Sequence, residues 1–236
     1  LKTIFAHGMY GMSVITAITA QNTLGVTAIE AASSDIVAKQ IDSVFTDIRP
    51  DSVKIGMAVN ENIVCTMAEK LIFHNAKNII IDPVLVSTSG KPLLQNTATA
   101  AFKERLLPLA RLITPNIPEA ELLSGIHIEN NKDMEKAAEK LYLAYNTSVL
   151  IKGGHAKGSA SDLLYCGANF YWFTAEKIQS TNTHGTGCTL SSAIACNIAD
   201  GMSMYESVDK AKEYITRAIA AGLDLGKGNG PLCHNV

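Results

Sequence analysis

The sequence has no segment that is both long and apolar enough to cross a bilayer. Its longest apolar-rich stretches, such as 14–20 and 79–86, fall well short of the 18 or more residues required. Cysteine is scarce: Cys65, Cys166, Cys188, Cys196 and Cys233 are odd in number, scattered and without C-x-x-C spacing. That usage belongs to a reducing compartment and excludes a disulfide scaffold. No sign of charge dominates, since 20 lysines and arginines face 22 acidic residues for a net of −2, and no basic run exceeds two residues. A nucleic-acid or polybasic membrane surface therefore has no support. Neither G-x-x-x-x-G-K-[ST] nor G-x-G-x-x-G occurs, so P-loop and dinucleotide readings lack their main feature. The six histidines show no H-E-x-x-H or Cys/His zinc spacing, which argues against zinc. What is present is 47% hydrophobic residues against 18% charged, enough for a core and too little charge for a disordered chain. At roughly 150 residues per domain, 236 residues make one large domain or two small ones. The expectation is a soluble, cytoplasmic protein with neither a nucleic-acid nor a membrane partner.

Strand-like and helix-like periods alternate along the chain. The reading predicts a strand over 13–20, a helix from 34 capped by Ser34 or Asp35, strands over 53–57 and 78–82, and a helix over 60–73 between them. Ile79, Ile80 and Ile81 form a continuous apolar run, as in a strand covered on both faces. Further helices are predicted over 97–107, 132–145, 187–199 and 204–225, with Pro118 in the first turn of another. Strands are predicted over 111–114 and 148–152, and a hairpin over 162–166 and 169–174. Repeated strand-helix-strand units imply one α/β domain with a mainly parallel sheet. Ligands in such sheets bind beyond the carboxyl ends of the strands, so polar residues just after strands come under scrutiny first.

Thr183-His184-Gly185-Thr186-Gly187-Cys188 runs straight into an apolar helix. It reads either as a phosphate cradle at a helix N-terminus or as a Gly-rich turn over a small thiol. In the first reading Cys188 can take a proton from a hydroxyl, because helix N-termini favour thiolates. Asp82 ends a strand and is either a site carboxylate or a turn residue. Asn116 and Glu119 share a face at a helix start; they are two hard oxygen donors suited to Mg²⁺, or an ordinary cap. Lys152, before Gly153-Gly154-His155, can meet a nucleotide phosphate or stand in solvent. Cys65 and Cys196 read as small buried hydrophobes, and Met57 and Met67 as core, Met57 with the option of bordering a ligand.

Taken together, Tyr10-Gly-Met-Ser-Val-Ile-Thr-Ala-Ile-Thr-Ala-Gln-Asn-Thr23, Lys54-Ile-Gly-Met57, Asp82-Pro-Val-Leu-Val86, Thr114-Pro-Asn-Ile-Pro-Glu-Ala120, Lys152-Gly-Gly-His155, Thr183 to Cys188 and Gly226-Lys-Gly-Asn-Gly-Pro231 resemble the hydroxymethylpyrimidine/phosphomethylpyrimidine kinase family of thiamine biosynthesis, within the ribokinase-like superfamily. The resemblance implies a three-layer α/β/α fold with a mainly parallel central sheet, and ATP-dependent phosphorylation of 4-amino-5-hydroxymethyl-2-methylpyrimidine and then of its monophosphate. It implies Cys188 as the base, with Gly185, Thr186 and Gly187 as the anion hole. It places Gln21, Met57 and Val86 at the pyrimidine, Asn116, Lys152, Thr186 and Lys212 at ATP, and Asp82 and Glu119 at Mg²⁺. A homodimer is also implied. The segment 87–94, Ser/Gly-rich and following Asp82, is a candidate for motion on substrate binding.

The same resemblance leads one to expect a strand and glycine-rich segment ahead of Leu1. The expectation is thus a single kinase domain over residues 1–236 lacking that opening in this sequence; if the segment is truly absent from the protein, impaired pyrimidine affinity is expected. The rival readings are a pyridoxal kinase of the same superfamily and a non-catalytic vitamin-binding relative. Ser87, Thr88 and Ser89 after Val86, the intact Gln21-Asn22-Thr23 and threonine at 186 favour the pyrimidine over pyridoxal.

Overall fold

The computed structural model describes residues 1–84, 96–154, 160–175, 178, 180 and 182–236. Its centre is a six-stranded sheet in the order β3 (Val53–Ile55), β4 (Ile79–Ile81), β5 (Leu112–Ile113), β6 (Ser148–Ile151), β7 (Ala160–Cys166) and β8 (Asn169–Ala175). β3 to β6 run parallel, while β7 and β8 are antiparallel.

The period-two alternation of side chains sorts each strand between two cores. Ile79, Ile81, Ile113, Val149, Ile151, Leu163 and Tyr165 pack on one face, with α2 (Ser34–Asp47), α3 (Glu61–Phe73), α5 (Ile117–Ser124) and α6 (Asn131–Tyr145). Ile80, Leu112, Leu150, Leu164 and Phe173 pack on the other, with α7 (Thr186–Ala199) and α8 (Met204–Ala220). The result is the expected three-layer α/β/α arrangement.

Several boundaries differ from those expected. The predicted strand over 13–20 is β1 (Ala17–Asn22), and it stands outside the main sheet. Among the described residues it pairs only with β2 (Gly25–Ala31), a strand not anticipated, in a two-stranded antiparallel hairpin. Asn22 Oδ1 accepts the Leu24 N–H at the tip, an Asx turn that reverses the chain at once. Helix α2 is capped by Ser33, whose Oγ accepts the Ile36 N–H, not by Ser34 or Asp35. The helix expected over 97–107 is α-helical in α4 (Asn96–Ala101), then makes a π turn over Phe102–Leu106 and a 3₁₀ turn over Leu107–Leu109 holding Pro108. Helix α8 stops at Ala220 instead of 225, since the chain then takes left-handed backbone at Gly222 and Asp224. A short helix α1 (Lys2–Ala6) precedes a left-handed turn at Gly8. Among the described residues, no helix is long and apolar enough to cross a membrane.

Candidate active site

Strands β4, β5 and β6 each hand over to a polar residue at their carboxyl ends: Asp82, Thr114 and Lys152. The ladder hydrogen bonds continue one step past the strands, with Asp82 N–H on Ile55 O at 2.9 Å and Thr114 N–H on Ile81 O at 2.9 Å. Lys152 N–H reaches Pro115 O at 2.8 Å. These backbone bonds hold the three side chains at one edge of the sheet. Lys152 Nζ donates to Asp82 Oδ1 at 2.6 Å, and the Thr114 hydroxyl donates to the same oxygen at 3.1 Å. The Asp82 side chain is 2% exposed and that of Lys152 16%. Burial opposes the lysine's charge, but attraction to Asp82, Glu119 and Cys188 overcomes it and holds the ammonium above its ordinary pKa.

Pro118 opens α5 where its missing N–H is no loss. Asn116 Oδ1 accepts the Glu119 N–H at 2.9 Å, and Glu119 Oε2 accepts the Asn116 N–H at 2.8 Å. This is a reciprocal capping box, so the carboxylate that approaches Lys152 also closes the helix.

Across the cleft, Gly185 takes left-handed backbone (φ 80°) and starts α7. Thr189 N–H makes the helical bond to Gly185 O, so the N–H groups of Gly187 and Cys188 lie ahead of it, at the positive end of the dipole. The Thr186 hydroxyl donates to Thr183 O at 2.7 Å and tightens the turn. Gly187 faces the ion pair: a Cβ there would stand 3.1 Å from Lys152 Nζ and 3.4 Å from Asp82 Oδ2. Cys188 is exposed, and its Sγ lies 3.8 Å from where a Cβ of Gly56 would be.

A cleft of about 1340 Å³ joins these groups. Gln21, Met57, Asp82, Asn116, Glu119, Lys152, Gly185, Thr186, Gly187, Cys188 and Lys212 all line it. Val86 and the segment 87–94 lie outside the described residues, as does His155. Gln21 Nε2 sits 3.3 Å from His184 Nε2. Lys212, anticipated only through the family resemblance, pairs with Asp162 at 2.6 Å.

Sequence reasoning missed three contributors. Thr114 stands out from the sequence less than Asn116 and Glu119 beside it, and His184 is hidden in the glycine-rich string. Asp162 reads as a hairpin-strand residue, although a carboxylate directly before Leu163-Leu164 signals the need for a buried partner.

A mainly parallel sheet, a helix N-terminus opening on a lysine–carboxylate pair, and an exposed thiol beside them define a ribokinase-like small-molecule kinase, a phosphotransferase. The comparisons narrow the class. The chain belongs to the phosphomethylpyrimidine kinase family, whose model matches residues 1–233. It is 46% identical to the hydroxymethylpyrimidine/phosphomethylpyrimidine kinase of Rhizobium meliloti over 238 residues, covering 99% of this chain and 89% of that one. It is also 46% identical to the thiamine biosynthesis bifunctional protein ThiED of Geobacter sulfurreducens over 235 residues. There it covers 99% of this chain but spans only 48% of the relative's length. Among solved structures, phosphomethylpyrimidine kinase from Clostridium difficile matches with a TM-score of 0.83 at 46% identity, covering 92% of this chain and 90% of that one. Pyridoxal kinase from Staphylococcus aureus in complex with ADP matches with 0.91 at 33% identity, covering 100% and 86%.

Proposed function

We propose that this protein, a single kinase domain over residues 1–236, transfers the γ-phosphoryl group of ATP to the primary hydroxyl of 4-amino-5-hydroxymethyl-2-methylpyrimidine, and then a second group to the monophosphate, for thiamine biosynthesis. The observation that carries this reading is Gly187 lying against the Lys152–Asp82 pair at the start of α7, next to Cys188. Phosphoryl transfer asks for little covalent chemistry from the protein and mostly for positioning and charge. The Gly187 and Cys188 N–H groups steady negative charge on the transferring group, with Gly185 and Thr186 shaping the anion hole. Asn116, Lys152, Thr186 and Lys212 hold the nucleotide. Cys188 Sγ, as the thiolate, accepts the hydroxyl proton as the oxygen–phosphorus bond forms and the bond to ADP breaks. Gln21, Met57 and Val86 border the pyrimidine.

The residues present fit Mg²⁺. Among the described residues no cluster of three or more His, Cys, Asp or Glu side chains forms a cage. Mg²⁺, however, is commonly held by one or two carboxylates together with water and substrate phosphates, which is what Asp82 and Glu119 offer. The side of Asp82 Oδ2 faces Gly187, where no side chain intervenes. When bound, the ion neutralises charge on the ATP phosphates. On the family resemblance, the protein works as a cytoplasmic homodimer; light scattering on the purified chain tests the dimer.

The test of the activity is Mg²⁺-dependent ADP formation with the hydroxymethylpyrimidine, its monophosphate and pyridoxal side by side. Turnover of both pyrimidines is the expected result. Turnover confined to pyridoxal would transfer the protein to vitamin B6 salvage, and binding without ADP formation would make it a non-catalytic vitamin-binding protein.

A further inference from the structure

We propose that Asp162 is a positioning residue that sets the nucleotide-facing end of the cleft by holding Lys212 and the backbone after Lys152 in one frame. This rests on the reading of the cleft as an ATP site.

The topology brings Asp162 there. Because β7 runs antiparallel to β6, its first residues arrive at the edge where β6 ends, and the last β6–β7 pair is Ile151 with Leu163. Asp162 is therefore level with the Lys152-Gly153 junction. Alternation puts it on the same face as Leu164, the face covered by α7 and α8. A hydrophobic residue is what this position would ordinarily hold, and Asp162 is 5% exposed.

Both carboxylate oxygens are engaged. Oδ1 accepts the Gly153 N–H at 2.8 Å, and Oδ2 accepts Lys212 Nζ at 2.6 Å. The backbone amide fixes the plane of the carboxylate, so the lysine meets a rigid partner. Gly153 is itself clamped, because a Cβ there would stand 2.0 Å from Ser161 O. The side chain of Lys212 is 13% exposed and lines the same cleft as Lys152.

A buried ion pair contributes weakly to stability compared with an apolar pair of the same volume. A long ammonium side chain on its own also carries rotamer entropy that a phosphate contact must overcome. Asp162 removes that freedom in advance. Lys152 is already held by Asp82, so the two cations are presented from fixed points on either side of the Gly153 junction.

The experiment is a double-mutant cycle with Asp162→Asn and Lys212→Gln in the full chain. Steady-state kinetics for ATP and for the accepted small-molecule substrate run in parallel with calorimetric titration of ATP and a thermal melt. Asp162→Asn keeps an oxygen for the Gly153 N–H and turns an uncharged amide NH2, which cannot accept, toward Lys212. The expected result is a KM and Kd for ATP raised about tenfold, with kcat and the KM of the other substrate within about twofold. In the double variant the two losses should not multiply. Asp162→Glu, which keeps the charge, is expected to regain part of the ATP affinity. Unchanged or tighter ATP binding in Asp162→Asn, multiplicative losses, or a fall in all kinetic parameters that tracks the unfolded fraction would each overturn the proposal. If the wild-type chain binds ATP and the variant binds it equally, the positioning role fails and the kinase reading stands. If the wild-type chain binds no ATP, the kinase reading fails and takes the role of Asp162 with it.

Discussion

Replacing Asp82 by asparagine keeps the shape of the side chain and an oxygen for Thr114 and Lys152, but removes the charge that Lys152 faces at 2.6 Å. At an effective dielectric constant near 20, the attraction across that distance is about 6 kcal/mol, and desolvation of both groups offsets much of it. Leaving Lys152 buried with only the more distant Glu119 and Cys188 is expected to lower stability by about 3 kcal/mol, the low end for a broken buried pair. For a chain of this size that is a fall in Tm of about 6–12 °C. Lys152→Met should lose a similar amount, and the double variant Asp82→Asn/Lys152→Met no more than either single, since no buried charge is then left alone. Thermal and urea unfolding at neutral pH measure all four corners of the cycle. Losses that simply add, or an Asp82→Asn loss below about 1 kcal/mol, would refute the buried-pair argument. The sign with pH also follows. The folded pKa of Lys152 lies above its ordinary value of 10.5, because its acidic neighbours outweigh burial. Its contribution is therefore fully present below 10.5 and lost as pH rises through the raised folded value. The gap between wild type and Lys152→Met should close on the alkaline side.

Cys188→Ala is expected to lower kcat about 10²- to 10⁴-fold with little change in the melt, given its exposed position; unchanged turnover would end its role as base. Burial pushes the Cys196 thiol up to about 11, so at pH 8 only about one part in a thousand is thiolate. Iodoacetamide should mark Cys188 and spare Cys196 in the native protein, as read by peptide mass mapping, and early Cys196 labelling would contradict the packing of α7. Gly153→Ala, whose Cβ would meet Ser161 O, should lose about 3 kcal/mol in urea unfolding, while Gly154→Ala, with nothing within 4 Å, should stay within about 0.5. The Asp42 carboxyl is held below its usual 3.8 by Lys70 and then His74. Its contribution is present above that value and lost as pH falls through the lowered one, so the melts of wild type and Asp42→Asn should converge in acid; a constant gap would count against it.

The layers of the fold were readable because Ile79-Ile80-Ile81, Val149-Leu150-Ile151 and Leu163-Leu164 are apolar on both faces, which only a sheet covered twice requires. The hairpin was harder to read. β1 and β2 are largely exposed, so no burial imposes an alternating pattern that would mark their ends. The π and 3₁₀ turns after α4 were invisible because 96–107 has helical spacing throughout, and Pro108 acts only at its end. At the site, Asp82, Asn116, Glu119 and Lys152 could be suspected from position alone, as polar residues just after strands. Lys212 could not, since on a helix it is indistinguishable from a solvated lysine until Asp162 is brought to it from fifty residues away. Whether a carboxylate pairs with a distant cation is a property of topology and not of local pattern.

The β1–β2 hairpin is held by the far end of the chain. Gln21 approaches His184, 163 residues away, and Thr23 Oγ1 accepts the N–H groups of Lys227 and Gly228, more than 200 residues on. Gly226 and Gly228 admit it, for a Cβ at either would collide with Thr23. The hairpin therefore cannot take this seat until a segment more than 200 residues further along the chain has been made and placed. Docking of this wall of the cleft is thus a long-range contact, one that local structure cannot supply early in folding. Removing residues 226–228 would take away the N–H groups that hold Thr23 and release the wall that carries Gln21.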